Sequence, residues 1–354
     1  SAPAGYTLAK DVTFTVSETG EIDYVQMIDD TTKVSISKTD ITGEKNISGA
    51  TLQIIDKNGN VIHEWISGTD VNYMEAQLVA GETYTLHETN APAGYVLAQD
   101  QQFTVNADGT VTKVNMKDDT TKVSITKKDI TGENEIAGAT LEVWDMQGNV
   151  IDSWVSDGTT HEISGILAAG AKYILHEVSA PDGYVVATDV EFIVDANGKV
   201  TEVTMLDDTT KLHVTKKDIT GEKELAGASL ELYAAERDAN GNYIRKGDAV
   251  EKWTSTDKAH EIIGKLTAGA SYILHETAAP NGYVVASDVP FVVNPDGTVT
   301  KVAMKDDTTK VEINKTTEDG TPLKGAVLQL LDKDGKEVEQ WTTDGTAHVL
   351  TAKL

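Results

Sequence analysis

The chain has no cysteine among its 354 residues. Disulfide staples, on which small extracellular domains often depend, are therefore excluded. Any covalent staple must come from other side chains. No apolar run is long enough to span a bilayer. Basic residues are scarce: 30 Lys and Arg stand against 57 Asp and Glu, for a net charge of −27. That balance disfavours nucleic acid and anionic membrane surfaces, which attract basic patches. No Ser-His-Asp set, phosphate loop or zinc-ligand spacing is present, and no segment repeats with a helical period. What remains is 39% hydrophobic and 25% charged, a composition suited to soluble globular modules.

Repetition dominates the rest. MIDDTTKVSISKTDITGE (27–44) returns as MKDDTTKVSITKKDITGE (116–133) and as MLDDTTKLHVTKKDITGE (205–222), then diverged as MKDDTTKVEINKTTEDG (304–320). Lys38, Lys127, Lys216 and Lys315 mark the register, with steps of 89, 89 and 99 residues. The longer step reflects ERDANGNYIRKGDAVEKW (236–253), which replaces a shorter hairpin such as DMQGNVIDSW (145–154). Self-similarity at a fixed period indicates an array of like domains. The expected division is three complete modules, 31–119, 120–208 and 209–307, flanked by parts of modules at 1–30 and 308–354. The chain opens partway through a repeat, at SAPAGY, and is expected to be a window on a longer array.

Inside each repeat the signals are β. Short alternating runs are bounded by DKNGN (56–60), NADGT (106–110), DANGK (195–199) and NPDGT (294–298). Asn-Gly and Asp-Gly between such runs predict hairpins. Strands at this spacing predict small β-sandwiches. A short helix at 68–76 is the one non-β alternative.

Alternate strand residues face the same way, and this exposes an oddity. YTLHE (84–88) returns as YILHE (173–177) and YILHE (272–276). If Tyr84 and Leu86 face the core, Glu88 does too, and likewise Glu177 and Glu276. In VSISK, Lys38 shares a face with Val34 and Ile36. Lys127, Lys216 and Lys315 repeat that pattern. At the end of the repeat Asp118 shares a face with Val114 and Met116, and Asp29, Asp207 and Asp306 follow suit. Each complete repeat thus sends one Lys, one Glu and one Asp inward. Lys to Glu spans 50, 50 and 60 residues, so the insertion leaves the trio intact.

Unpaired charges are costly to bury, and three readings compete. The trio is a buried ion network, which seldom outperforms apolar side chains of equal volume. Or the groups snorkel from fraying strand ends. Or the trio reacts. A neutral amine beside a protonated carboxyl can form an amide with loss of water, and burial favours both neutral states. A second carboxyl would hold a proton, polarise the Asp carbonyl and shuttle protons during the attack. Fixed neighbours react as if at very high concentration, so no activating cofactor is needed.

VSITKKD, the GAxLEVxD strand, WVSDG, YxLHExxAPxGY and the closing VxMxDD together resemble the B-type repeats of Gram-positive collagen-binding adhesins. These are also called Cna B-type, SpaA-like or prealbumin-like domains. The resemblance covers essentially the whole chain. It implies an all-β tandem array of small inverse-IgG-like β-sandwich modules, each with a self-formed Lys–Asp isopeptide bond. The implied bonds are Lys38–Asp118, Lys127–Asp207 and Lys216–Asp306, with Glu88, Glu177 and Glu276 as the respective catalytic acids. Asp29 and Lys315 lie in the flanking parts of modules, without the rest of their trios. The implied role is an extracellular, cell-surface stalk or fibre shaft, not an enzyme, with no cofactor. Its partners would be neighbouring modules, other fibre subunits or a host ligand at a tip, with no nucleic acid and no membrane insertion. A sortase-assembled pilus backbone and a directly ligand-binding adhesin are the alternatives. The short DDTTK linker implies a semi-rigid rod growing by about 30–40 Å per module.

Other candidates are weaker. The D-x-N-G turns lack calcium-loop spacing. His87, His176 and His275 sit on the outward face beside the Glu, where a metal between modules is the sharper reading and exposed strand histidines the simpler one. Trp65, Trp154, Trp253 and Trp341 are expected in the core or between sheets. Tyr95, Tyr184 and Tyr283 are expected to pack.

Overall fold

The computed structural model describes residues 2–20, 24–351 and 354. Every regular element among them is a strand, and none is a helix long and apolar enough to cross a membrane. The chain forms two compact units, Ser1–Lys128 with Glu135–His176 and Thr188–Met205, and Asp129–Asn134 with Glu177–Ala187 and Leu206–Leu354.

The first unit begins with β1 (Lys33–Asp40), β2 (Thr51–Ile55), β3 (Val61–Ile66), β4 (Asn72–Glu75), β5 (Thr83–Asn90), β6 (Gln101–Thr104) and β7 (Val111–Asp118). They form a three-stranded sheet, β4-β1-β7, and a four-stranded sheet, β3-β2-β5-β6. One core joins both: Val34, Ile36, Met74, Val114 and Met116 from the first meet Leu52, Ile54, Tyr84, Leu86 and Phe103 from the second. This is the sandwich that the alternation predicts, since each sheet has one apolar face to bury. The next strands are β8 (Lys122–Asp129), β9 (Ala137–Asp145), β10 (Val150–Asp157), β11 (His161–Ser164), β12 (Lys172–Ser179), β13 (Val190–Ile193) and β14 (Thr201–Asp207). They repeat the pattern as β11-β8-β14 and β10-β9-β12-β13.

The second unit carries β15 (Lys211–Asp218), β16 (Ser229–Arg237), β17 (Tyr243–Thr254), β18 (His260–Ile263), β19 (Ser271–Ala278), β20 (Val289–Val292) and β21 (Thr300–Asp306). These form β18-β15-β21 and β17-β16-β19-β20 around their own core. The insertion at 236–253 lengthens one hairpin, β16–β17, and leaves the sheet order unchanged. The unit ends with β22 (Glu312–Ile313), β23 (Lys324–Leu331), β24 (Glu337–Asp344) and β25 (His348–Val349), paired only as β22-β25 and β23-β24.

Two expectations are corrected. Residues 68–76 hold β4 rather than a helix, and β4 runs antiparallel to β1. NADGT, DANGK and NPDGT are not hairpin turns. Each carries the chain from one sheet to the other, from β6 to β7 and at the two equivalent places. An Asn-Gly or Asp-Gly pair reports a turn with positive φ, such as Gly109 at +79°, and not which strands pair afterwards. DKNGN does close a hairpin, between β2 and β3.

Candidate functional site

The first strand of a repeat runs parallel to its last. In the β1–β7 register Lys38 stands beside Met116 and Asp40 beside Asp118. Asp118 is two residues beyond Met116, hence on the same face, and within reach of a lysine side chain. β15 and β21 repeat this, with Lys216 beside Met304 and Asp306 two residues on. The Glu arrives from the facing sheet. Glu88 on β5 pairs with Leu52 on β2, next to a register shift between Thr51 and Leu52. Glu276 pairs with Leu230 next to the same irregularity. Such bulges re-aim a side chain.

All nine residues of the three complete trios are buried, none more than 4% exposed. In the first repeat Lys38 Nζ donates to Asp118 Oδ1 and lies 3.0 Å from Glu88 Oε2. In the third, Lys216 Nζ donates to Asp306 Oδ1 and lies 2.9 Å from Glu276 Oε1. Lys127, Glu177 and Asp207 are equally buried, on β8, β12 and β14. The flanking residues differ. Asp29 is exposed and accepts the Ala9 N–H at 3.2 Å, and Lys315 is exposed.

One amine and two carboxyls would leave a net charge of −1 in a dry site if all were ionised. Retaining one proton removes that cost. Burial pushes the Asp118 carboxyl up to about 7, against the opposing pull of Lys38 and with a further push from Glu88. Burial likewise raises Asp306 to about 6, with Lys216 opposing and Glu276 assisting. Glu88 Oε1 and Asp118 Oδ2 are buried without a hydrogen-bond partner. Glu276 Oε1 is at ion-pair distance from Lys216 but not aligned as a hydrogen bond.

One contributor was not legible in the sequence. The main-chain N–H of Ala98 donates to Glu88 Oε2 at 2.6 Å, and Ala187 and Ala286 do the same for Glu177 and Glu276. Any non-proline residue presents an N–H, so no residue type signals this role; only the 10-residue spacing from each Glu repeats.

The remaining candidates settle into structural places. His87, His176 and His275 pair through Nδ1 with Asp100, Asp189 and Asp288 at 2.6–2.7 Å. No cluster of three metal-ligating side chains occurs among the described residues. Trp154, Trp253 and Trp341 stack on His161, His260 and His348, at centroid distances of 4.0, 4.4 and 4.3 Å. Trp154 and His161 belong to different sheets, so the stack braces the edge of the sandwich. Trp65 stacks instead on His63 of its own strand. In the D-x-N-G turns the carboxylate caps main-chain N–H groups, as Asp56 does for Asn58 and Asn60. Tyr95, Tyr184 and Tyr283 are half-buried, each bridging to the threonine 25 residues on.

The family model for the SpaA prealbumin-like fold domain matches residues 32–120, 121–209, 210–308 and 309–354. Among curated proteins none matches. Among solved structures, the Bacillus anthracis TIE protein is 24% identical over 78% of this chain and 51% of its own, with a TM-score of 0.40. The chain thus spans about half the length of that protein. A streptococcal ancillary pilin is 17% identical over 78% of this chain and 99% of its own, with a TM-score of 0.34. The shaft pilin SpaA of Lactobacillus rhamnosus GG is 17% identical over 53% of this chain and 98% of its own, with a TM-score of 0.27.

Proposed function

Since the chain belongs to the SpaA prealbumin-like fold family, we propose that it is a structural stalk or fibre segment of a Gram-positive cell surface. Its modules, divided at 31–119, 120–208 and 209–307, each close on themselves by a Lys–Asp isopeptide bond. The observation that carries this is the buried Lys38 amine on the Asp118 carboxyl with Glu88 beside both.

The step balances within the trio. It starts from the Lys38 ammonium, the protonated Asp118 carboxyl and the Glu88 carboxylate. Lys38 passes one proton to Glu88, and its free amine attacks Asp118 Cγ. The Nζ–Cγ bond forms and a Cγ–O bond breaks. The oxygen leaves as water, taking one further proton from nitrogen through the Glu88 carboxyl. The products are a neutral amide, one water and a neutral Glu88. No charge remains in the core, which removes the desolvation penalty that an unreacted trio carries. The reaction occurs once per module, so the protein is not an enzyme.

The bond would join β1 to the end of β7, 80 positions further on, and bypass the chain between. Tension would then pass from the first strand of a module to its last without unfolding it. Closing a loop of that length stabilises by about 4–5 kcal/mol, by analogy with a disulfide of equal span. The intact mass of the denatured chain tests the reading. Three waters fewer than the sequence requires is the expected result. A mass equal to the sequence would return the trios to buried ion networks and remove the mechanical role.

The β16–β17 hairpin favours a second reading for one module, direct ligand binding. It is stiffened at its tip, where Arg237 lies 4.2 Å over the Tyr243 ring and donates to its hydroxyl at 2.8 Å. A binding screen of the whole chain against one with this hairpin shortened to the DMQGNVIDSW form would separate adhesin from spacer.

A further inference from the structure

The short linker between repeats is bonded on both sides. In the first unit, Val96 N–H donates to Asp119 O at 3.0 Å and Thr121 N–H to Gly94 O at 3.0 Å. Both bonds tie the linker back to the repeat before it. Thr121 is 1% exposed, and its hydroxyl donates forward to Leu167 O at 2.7 Å. Gly165 N–H donates to Thr121 O at 3.0 Å. Asp119 caps Thr120 N–H at 2.8 Å and pairs with Lys122 at 2.8 Å.

The second unit builds the same joint from other residues. Val185 N–H donates to Asp208 O, Thr210 N–H to Gly183 O, the Thr210 hydroxyl to Leu266 O and Gly264 N–H to Thr210 O, all between 2.8 and 3.0 Å. Thr267 Oγ1 adds a direct bond across it, to Asp182 Oδ1 at 2.6 Å. The glycines are required by space as well as by conformation. Gly94 has φ +88°, and a Cβ there would stand 2.3 Å from Gly165 O; on Gly183, with φ +90°, it would stand 2.4 Å from Gly264 O. Gly5 makes the same approach to Ala76 O, at 2.4 Å. Ala76 is the one non-glycine with positive φ among the described residues.

We propose that each Asp-Thr-Thr linker, with the Gly-Tyr turn before it, is a clamp that recognises the following module through a positive-φ turn and a leucine carbonyl. A flexible tether leaves its main chain to water, whereas here the linker's polar groups are divided between two modules and its threonine is buried. Consecutive modules then stabilise one another, as nearest neighbours do in repeat arrays. Load that leaves one module at Asp118 would reach Lys127 through a bonded joint instead of bare chain. The inference rests on the modular reading and is independent of the cross-link.

The test uses the full chain with Gly183→Ala and, separately, Thr210→Val, which keeps the shape and deletes the hydroxyl. Amide hydrogen exchange is read at Thr210 and Gly264 against the core strands β15 and β19, alongside protease cutting within 207–211. A clamp gives slow exchange and no cut in the parent chain. In the variants exchange at these two amides rises by about tenfold or more while the core strands hold. The water deficit of the intact chain stays as in the parent, which separates failure of the clamp from failure of the cross-link. Fast exchange at Thr210 in the parent, or exchange unchanged in Thr210→Val, would overturn the clamp. If Gly183→Ala loosens the whole module, Thr210→Val alone decides.

Discussion

Lys38 and Lys315 occupy the same place in their repeats, yet one is 4% exposed and bonded to an aspartate while the other lies on the surface. The difference is in the strands around them. β1 has eight residues, all paired with β7 on one side, with β4 on the other. β22 has two residues and, among the described residues, pairs only with β25. The Trp–His brace behaves differently. Trp341 and His348 stack in the last repeat as Trp154 and His161 do in the second, and Glu339 holds His348 at 2.8 Å as Asp152 holds His161. The brace joins groups no more than nine residues apart, and forms in the second, third and last repeats, where a histidine opens the strand facing the tryptophan; the first repeat has Asn72 there and lacks it. The trio joins groups 80 or 90 residues apart and needs the entire sandwich.

The largest expected effect breaks the trio itself. Glu88→Ala should leave the first module unreacted, so the intact chain lacks two waters instead of three. Melting of that module should fall by roughly 20 °C, from the lost loop constraint. Calorimetry and mass on one sample check both. A deficit of three waters in the variant, as in the parent, would remove Glu88 from the reaction.

The next effect sharpens the comparison between trios. The reacting form holds its aspartate protonated, so bond formation should slow as pH rises through about 7 in the first repeat and about 6 in the third. Chains synthesised in a cell-free system across that range, then mapped by peptide mass, should show both bonds lagging toward its alkaline end. Bond formation unchanged across the range would mean that the aspartate's proton is not required. In an unreacted chain the same raised carboxyl stabilises the fold fully below the ordinary carboxylate range, and that contribution is lost as pH climbs through these values.

A smaller effect is expected from the brace. His161→Ala should cost about 1 kcal/mol, the worth of one aromatic stack beyond burial, without altering the number of waters lost. Denaturant melts give the number, and His348→Ala should lose a similar amount locally. The smallest concerns the exposed lysine. Lys315→Ala should leave the number of waters lost unchanged, and the stability unchanged within about 0.5 kcal/mol. A lost water in the parent that disappears in this variant would show Lys315 to be reactive after all.

The period, the β class and the inward parity of Lys38, Glu88 and Asp118 were legible because strand side chains alternate with a period of two, so one apolar neighbour fixes the face of the next. The turns at 106–110, 195–199 and 294–298 were misread because a turn pair fixes local φ and not strand pairing. The N–H of Ala98 and the clamp at Thr121 were invisible because main-chain groups carry no residue signature. Sequence alone thus determined the repeat, its faces and the inventory of charged groups, all of which are local properties of the chain. Only the tertiary structure decided which charges meet. Parallel pairing of the first strand with the last, and the arrival of β5 from the facing sheet, are contacts between distant segments, and they fix the distances on which the proposed bond depends.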